Sequence, residues 1–129
     1  MKIQMLPVLD DNYIFILIDG KNCEAAVVDP ALAEPVIQFL EQNNLKLTKI
    51  FNTHHHSDHV GGNQELVKKY SNVEVYASAK DFGRIPCQTH SLNHMDTVTF
   101  ADEVAHAYMV PGHTLGHICY FFPLKNKEN

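Results

Sequence analysis

The sequence predicts an α/β or α+β fold in which helices lie over a largely mixed β-sheet. Candidate strands outnumber candidate helices, and hairpins at the start of the chain give way to a strand–helix–strand unit in the middle. The chain has 129 residues, within the usual size of one domain, so a single hydrophobic core is expected.

The individual elements follow from hydrophobic spacing and turn residues. Apolar runs predict strands over residues 3–9, 13–18, 25–28, 47–51, 73–77, 98–100, 105–110 and 118–122. Val36, Ile37 and Leu40 recur at helical spacing and predict a helix over residues 34–43, and a second helix is expected over about 63–70. Residues 80–94 show no clear period and predict a long loop, and residues 125–129 predict a frayed polar tail.

Composition and charge exclude several classes of protein. Apolar residues make up 45% of the chain and charged residues 19%, which excludes a disordered or low-complexity chain. The formal net charge is −5 and no basic stripe is present, so we expect no nucleic-acid partner. The apolar runs of the chain are too short to span a bilayer. The three cysteines are scattered along the sequence, which fits a reducing compartment. We therefore expect a cytoplasmic protein with no membrane partner.

A histidine-rich stretch lies between the strand at 47–51 and the second helix. It reads Asn52-Thr53-His54-His55-His56-Ser57-Asp58-His59-Val60-Gly61-Gly62 and contains four of the nine histidines. Imidazole and carboxylate suit zinc, iron and manganese, whereas a solvated loop would explain only one or two such histidines. In an extended segment His54 and His56 share one face while His55 points away. We predict four metal ligands here: His54, His56, Asp58 and His59.

A second histidine motif follows the apolar strand at 105–110. It reads Val110-Pro111-Gly112-His113-Thr114-Leu115-Gly116-His117. The Pro111-Gly112 pair predicts a turn, which places His113 at a strand end. From there it is a candidate third ligand beside His54 and His56. His117 is expected to be structural or to support a ligand, and His90, His94 and His106 have no partner at ligand spacing.

These motifs resemble those of a known family. His54-x-His56-x-Asp58-His59 followed by Gly61-Gly62 resembles the signature of the metallo-β-lactamase superfamily. Leu9-Asp10-Asp11-Asn12-Tyr13 resembles the start of the glyoxalase II family, the hydroxyacylglutathione hydrolases. The stretch from Pro111 to Phe121 is similar to that family's second metal motif, and the resemblance covers the chain to about Phe122.

The resemblance implies an αβ/βα sandwich that carries two metal ions, usually zinc, with iron or manganese tolerated. By position, His54, His56 and His113 would hold the first ion, and Asp58 and His59 the second. A hydroxide held by the metals would attack the thioester carbonyl of S-D-lactoylglutathione and release D-lactate and glutathione. This chemistry requires no serine or cysteine nucleophile, so no catalytic side chain is predicted beyond the metal ligands. The residues that would bind the substrate are not identified by the motifs.

The sequence also departs from the family pattern, which continues with a bridging aspartate, a further histidine and a mostly helical glutathione-binding domain. This chain has no aspartate after Asp102 and no histidine after His117. We therefore expect residues 1–129 to form one partial metallo-β-lactamase-like domain, roughly the first half of the sandwich, without the C-terminal helical domain. At most one well-occupied metal ion and little thioesterase activity are expected from these residues alone.

Two other functions stay open at this point. The chain could belong to another enzyme of the superfamily, such as a persulfide dioxygenase with one iron, or it could be an inactive metal-binding fragment.

The strands also predict self-association. Several of them are apolar on both faces, which is typical of a sheet buried from both sides. A half sandwich would leave one of those faces open, so we expect self-association through the open sheet face.

Overall fold

The computed structural model describes residues 1–9, 12–54, 57–110 and 117–123, with only the backbone of Ser57 and Asp58 described. Within these ranges nine strands form two sheets: β1 Lys2–Val8, β2 Asn12–Asp19, β3 Glu24–Val28, β4 Lys46–Phe51, β5 Glu74–Ser78, β6 His90–Leu92, β7 Thr97–Phe100, β8 Glu103–Met109 and β9 Ile118–Phe121. Three α-helices are described, α1 Ala33–Gln42, α2 Ser57–Val60 and α3 Asn63–Lys69, together with a 3-10 helix at Ala79–Asp81.

The larger sheet is mixed, and its six strands run in chain order from β1 to β6. Strands β1, β2 and β3 pair antiparallel, as expected for the predicted hairpins. From β3 onward the pairs β3–β4, β4–β5 and β5–β6 are parallel. The first of these crossovers passes through α1, and the second passes through α2 and α3. The carboxyl ends of β3, β4 and β5 therefore meet at one edge of the sheet.

The smaller sheet is antiparallel and contains β7, β8 and β9. Its inner face packs on one face of the larger sheet, and the core between them contains ten buried residues: Leu17, Ala26, Phe51, Tyr76, Leu92, Val98, Phe100, Ala105, Ala107 and Ile118. Helices α1 and α3 cover the opposite face of the larger sheet and bury Val36, Leu40 and Leu66 there. The described residues thus form three layers: helices, mixed sheet and antiparallel sheet.

The predicted fold class and most predicted elements are confirmed. The predicted helix at 34–43 is α1, shifted by one residue, and the predicted helix at 63–70 is α3. Asp10 and Asp11, which precede β2, lie outside the described residues. None of the helices in the described ranges is long and apolar enough to cross a membrane.

The prediction of one long loop over residues 80–94 was wrong in part. The 3-10 helix reaches into it at Asp81, and β6 adds a sixth strand beside β5. β6 has only three residues and no apolar alternation, so its sequence carries no strand signal. Its position depends on tertiary contacts, since the Thr89 hydroxyl accepts a hydrogen bond from Val75 N at 2.8 Å and Thr89 N donates to Val75 O.

Candidate metal centre

The predicted site lies where the parallel strands β3 and β4 end. Asp29 follows β3 directly, and Asn52, Thr53 and His54 follow β4. Backbone hydrogen bonds continue past both strand ends, from Asp29 N to Phe51 O at 3.0 Å and from Asn52 N to Tyr76 O at 2.9 Å. These bonds fix the backbone from which the site side chains project, which is the usual place for sites in open α/β sheets.

A buried carboxylate, Asp29, organises the centre. It is 7% exposed, and its backbone has a positive φ of 53°, a conformation that aspartate tolerates better than most residues. Its Oδ1 accepts a hydrogen bond from Thr53 N at 2.8 Å, and its Oδ2 accepts one from the Thr53 hydroxyl at 2.6 Å. The same Oδ2 lies 3.0 Å from Nδ1 of His59. One carboxylate therefore ties the end of β4 to helix α2.

The two described histidines of the motif lie against each other. The ring centroids of His54 and His59 are 4.0 Å apart, with the rings tilted by 49°. Nδ1 of His59 is engaged by Asp29, and Nδ1 of His54 lies 2.9 Å from the Thr53 hydroxyl. Metal-ligating histidines commonly have one ring nitrogen hydrogen-bonded to an oxygen in this way, which orients the other nitrogen as the ligand.

This donor set fits a metal ion. One ligand atom each from Asp29, His54 and His59 lie within 4.8 Å of one another, and all three residues are buried or half-buried. We nevertheless assign Asp29 an orienting role, because its two oxygens already accept three hydrogen bonds from Thr53 and His59. A carboxylate behind a histidine also raises the basicity of that imidazole as a ligand. The described geometry therefore supports a histidine-based metal centre.

The second sheet is attached to the centre through the start of β9. Ile118 N donates to Thr53 O at 2.8 Å, and the His117 ring stacks on His54 with centroids 4.8 Å apart and planes 19° apart. The Tyr120 hydroxyl donates to Asn52 O at 2.7 Å. Burial, followed by the nearby charge of Asp29, raises the pKa of Tyr120 well above its ordinary value, so the phenol stays protonated as a donor.

Only part of the predicted ligand set falls on residues whose side chains are described. The structure brings His54 and His59 together, with their ring centroids 4.0 Å apart. His55, His56 and His113 lie outside the described residues, and of Asp58 only the backbone, within α2, is described. Asp58 and His59 lie within the single helical turn of α2.

The remaining histidines lie away from this centre. His90 stacks on Tyr76 with ring centroids 4.5 Å apart, and Nδ1 of His94 accepts a hydrogen bond from Met109 N at 3.0 Å. His106 lies on β8, with its ring centroid 6.3 Å from that of Tyr108.

Sequence reasoning missed Asp29. The signal was present, because Val27-Val28-Asp29-Pro30 ends a buried apolar strand that precedes a helix. A polar residue at the carboxyl end of β3 lies beside the carboxyl end of β4 once the two strands are paired in parallel. The pairing itself could not be read from the sequence, so the sequence alone could not place Asp29 at the site.

The fold and the site together define an α/β protein of two sheets with a candidate metal centre after one of its parallel strands. Residues 12–126 match the family profile described as the metallo-beta-lactamase superfamily. The match covers most of the sequence. The chain belongs to this superfamily.

Curated relatives share more than half of the matched residues with this chain. The chain is 55% identical over 128 residues to a hydroxyacylglutathione hydrolase of Crocosphaera subtropica, covering 99% of this chain and 50% of that protein. It is 56% identical over 122 residues to the enzyme of the same name from a Synechocystis species, covering 95% of this chain and 48% of that protein. The chain therefore spans about half the length of the curated relatives it matches.

Solved structures give the same fold. The BLEG-1 B3 metallo-beta-lactamase matches with a TM-score of 0.79 at 22% identity, over 94% of this chain and 67% of that one. ETHE1 from Myxococcus xanthus matches with a TM-score of 0.78 at 25% identity, over 95% of this chain and 54% of that one. Both likenesses place the described strands in a metallo-β-lactamase fold.

Proposed function

We propose that this chain provides the metal-binding half of a metal-dependent hydrolase that cleaves S-D-lactoylglutathione, a 2-hydroxyacylglutathione thioester, to glutathione and D-lactate. The observation that supports it most is the identity of about 55% to hydroxyacylglutathione hydrolases across nearly the whole chain. The juxtaposed His54 and His59 rings support the metal-dependent part of the proposal. Because the chain spans about half of those relatives, the activity belongs to the whole enzyme.

We propose five residues as metal ligands. His54, His56 and His113 would hold one ion, and Asp58 and His59 would hold a second. Zinc is proposed as the metal, because imidazole and carboxylate suit it, although the same donors also accept iron or manganese. Because the second ion would have only two of these five donors, we propose that at most one ion per chain is well occupied. Elemental analysis that finds two tightly bound equivalents would contradict this.

The residues around the ligands are proposed to hold them in place before substrate arrives. Bound ions supply a nucleophile from water at neutral pH and stabilise charge on the carbonyl oxygen of the thioester. Asp29 accepts a hydrogen bond from His59 Nδ1 and fixes the direction of that ring. Thr53 links the same carboxylate to His54, since its hydroxyl lies 2.6 Å from Asp29 Oδ2 and 2.9 Å from His54 Nδ1.

The test is a full-length chimera in which residues 1–123 of this chain replace the matching half of the Crocosphaera relative. We expect zinc-dependent hydrolysis of S-D-lactoylglutathione, and loss of that activity in the His54→Ala chimera. The 129-residue chain alone is expected to show little or none, far below about 10 s⁻¹. A chimera that takes up oxygen with a glutathione persulfide and does not cleave the thioester would instead favour a dioxygenase. A folded chimera with neither activity would favour a non-catalytic metal-binding fragment.

We also propose that the chain self-associates through one exposed apolar face. The strand register puts Ile3, Met5, Tyr13 and Phe15 on the same face of the β1–β2 hairpin. Their exposures are 49%, 48%, 51% and 38%, respectively. An apolar groove of about 410 Å³ continues this face toward Thr53 and His117.

The size of the face suits a second copy of this chain. These four side chains expose about 370 Å² of largely apolar surface, taking roughly 200 Å² for each whole side chain. Two copies would then contribute about 740 Å², the apolar share of an interface of about 1,300 Å². That area lies at the lower end of specific interfaces, so a dimer of moderate affinity is proposed.

The compartment is the last part of the proposal. We propose the cytoplasm, supported by three cysteines that are all free thiols and exposed. Fractionation of cells that express the tagged chain would test this.

A further inference from the structure

The two segments that carry the site histidines are joined by a buried amide pair. Asn52 ends the β4 segment just before Thr53 and His54, and Asn63 is the first residue of α3. Both asparagines are 0% exposed. Asn63 Nδ2 donates to Asn52 Oδ1 at 2.7 Å, and the reverse contact, from Asn52 Nδ2 to Asn63 Oδ1, is longer at 3.5 Å.

The pair also holds the backbone on both sides of it. Asn52 Nδ2 donates to the carbonyl oxygen of His59 at 3.2 Å. Asn63 Nδ2 donates to the carbonyl oxygen of Pro86 at 3.1 Å, which anchors the pair to the segment after the 3-10 helix. Asn52 thus links the end of β4, which leads into His54, to the turn that carries His59.

Helix α2 needs such an anchor. It has four residues, a single turn, and a helix of that length has no stability of its own in water. The last carbonyls of any helix have no partner within that helix, and here the Asn52 amide supplies a donor to one of them. On the other side the His59 ring is held by Asp29.

We propose that Asn52 and Asn63 are positioning residues of the metal centre, and that they set the separation between the segments that carry His54 and His59. The proposal rests on the metal centre proposed above and adds residues that touch neither the metal nor the substrate. A purely structural role would make the pair a satisfied buried contact whose loss costs stability alone. The two roles differ in what happens to metal affinity when stability is held constant.

The experiment measures the Zn²⁺ dissociation constant of the 129-residue chain by competition with a chelator, beside its thermal midpoint. Asn52→Leu keeps the branching of the side chain at Cγ but removes the donor to the His59 carbonyl. We expect the dissociation constant to rise about 10- to 100-fold, the range for residues that support metal ligands. Asn63→Ala retains the Asn52 amide and is expected to weaken binding less. Val36→Ala, a core change under α1, is the control for a similar fall in thermal midpoint with unchanged affinity.

The double variant Asn52→Leu/Asn63→Leu separates the roles further. It removes the Asn63 amide that Asn52→Leu leaves without its acceptor, although the His59 and Pro86 carbonyls also lose their asparagine donors. We expect a thermal midpoint no lower than that of Asn52→Leu, while the Zn²⁺ affinity stays weak. If Asn52→Leu is too unstable to study, the comparison of Asn63→Ala with Val36→Ala decides the question.

Each other outcome overturns a stated claim. Affinity that falls no further in the asparagine variants than in Val36→Ala would make the pair purely structural. Affinity that recovers with stability in the double variant would do the same. If His54→Ala binds Zn²⁺ as tightly as the original chain, the metal centre itself is wrong and this inference fails with it. If His54→Ala weakens binding and the asparagine variants do not, only the inference fails.

Discussion

The site histidines are held by hydrogen bonds to side chains that the ligand motif does not contain. Asp29 accepts hydrogen bonds from Thr53 and His59, and Asn52 contacts the His59 carbonyl. The ligand candidates themselves could be read from the sequence, because metal ligands require particular residue types at particular spacing. The supporting residues could not, since asparagine and aspartate are also common in turns and no short spacing links Asp29 to His59.

The role of Asp29 leads to a prediction with a matched control. Asp29→Ala removes the acceptor of three buried donors, so we expect a loss of about 1–3 kcal/mol in unfolding free energy and a roughly 10- to 100-fold weaker Zn²⁺ affinity. Asp19, also 7% exposed, accepts three hydrogen bonds from Lys21 and Asn22 in the β2–β3 turn. Asp19→Ala should therefore lower stability without changing Zn²⁺ affinity. Equal affinity losses in the two variants would refute the orienting role of Asp29.

The buried phenol of Tyr120 leads to a prediction about alkaline pH. Its pKa in the folded chain lies well above 10, so below pH 10 the phenol is protonated in both the folded and the unfolded states. Above pH 10 the unfolded chain loses this proton and the folded chain keeps it, so the unfolding free energy falls as pH rises. Tyr120→Phe should reduce this alkaline slope, measured by denaturant melts from pH 8 to 11. The same slope in both proteins would contradict the assignment.

The same substitution removes the donor to the carbonyl oxygens of Asn52 and Tyr76. At neutral pH we therefore expect Tyr120→Phe to be less stable by about 1–2 kcal/mol. Tyr76 also has a raised pKa, caused first by burial and then by its hydrogen bond to Glu74. It is present in both proteins, so the difference in slope isolates Tyr120.

At the scale of elements, strong local periodicity was enough to predict structure. Helix α1 buries Val36, Ile37 and Leu40 at the spacing that predicted it. Strand β6 and helix α2 have three and four residues, too short for a period, and both depend on neighbours. The order of strands in the sheet and the parallel pairing that brings Asp29 to the site are long-range properties, so local patterns could not supply them.

The junction between α2 and α3 leads to a prediction about Gly62. A Cβ at this position would lie 2.8 Å from both Ala33 N and Pro30 O, which are backbone atoms and cannot move aside cheaply. Gly62 N also donates to Pro30 O at 2.7 Å. Gly62→Ala should therefore cost about 1–3 kcal/mol of unfolding free energy and displace the adjoining α2 turn, with weaker Zn²⁺ binding.

Gly20 is the matched control for this change. A Cβ on Gly20 meets no atom within 4 Å, so Gly20→Ala should change stability by less than about 0.5 kcal/mol. Thermal melts and Zn²⁺ titrations of the two variants compare the positions directly. Full stability in Gly62→Ala would show that α2 and α3 are less closely packed on the Pro30 segment than described.

On the scale of the whole molecule, the exposed face of the β1–β2 hairpin leads to a prediction about assembly. We expect light scattering at micromolar concentration to give about twice the chain mass of 14.6 kDa. Met5→Lys places a charge in the face and should shift the population to monomer. Phe82→Lys changes a side chain that is 70% exposed elsewhere and should leave the mass unchanged. A compact, cooperatively melting monomer of the original chain would contradict the proposed dimer.

Metal binding through histidines of the stretch after β4 is tested most directly by zinc K-edge X-ray absorption of the chain loaded with one equivalent of Zn²⁺. We expect nitrogen and oxygen ligands at about 2.0–2.1 Å, the outer-shell scattering of at least two imidazoles and no sulfur. A sulfur shell at about 2.3 Å, which would place the ion on a cysteine, or a shell of oxygens without imidazole would contradict it.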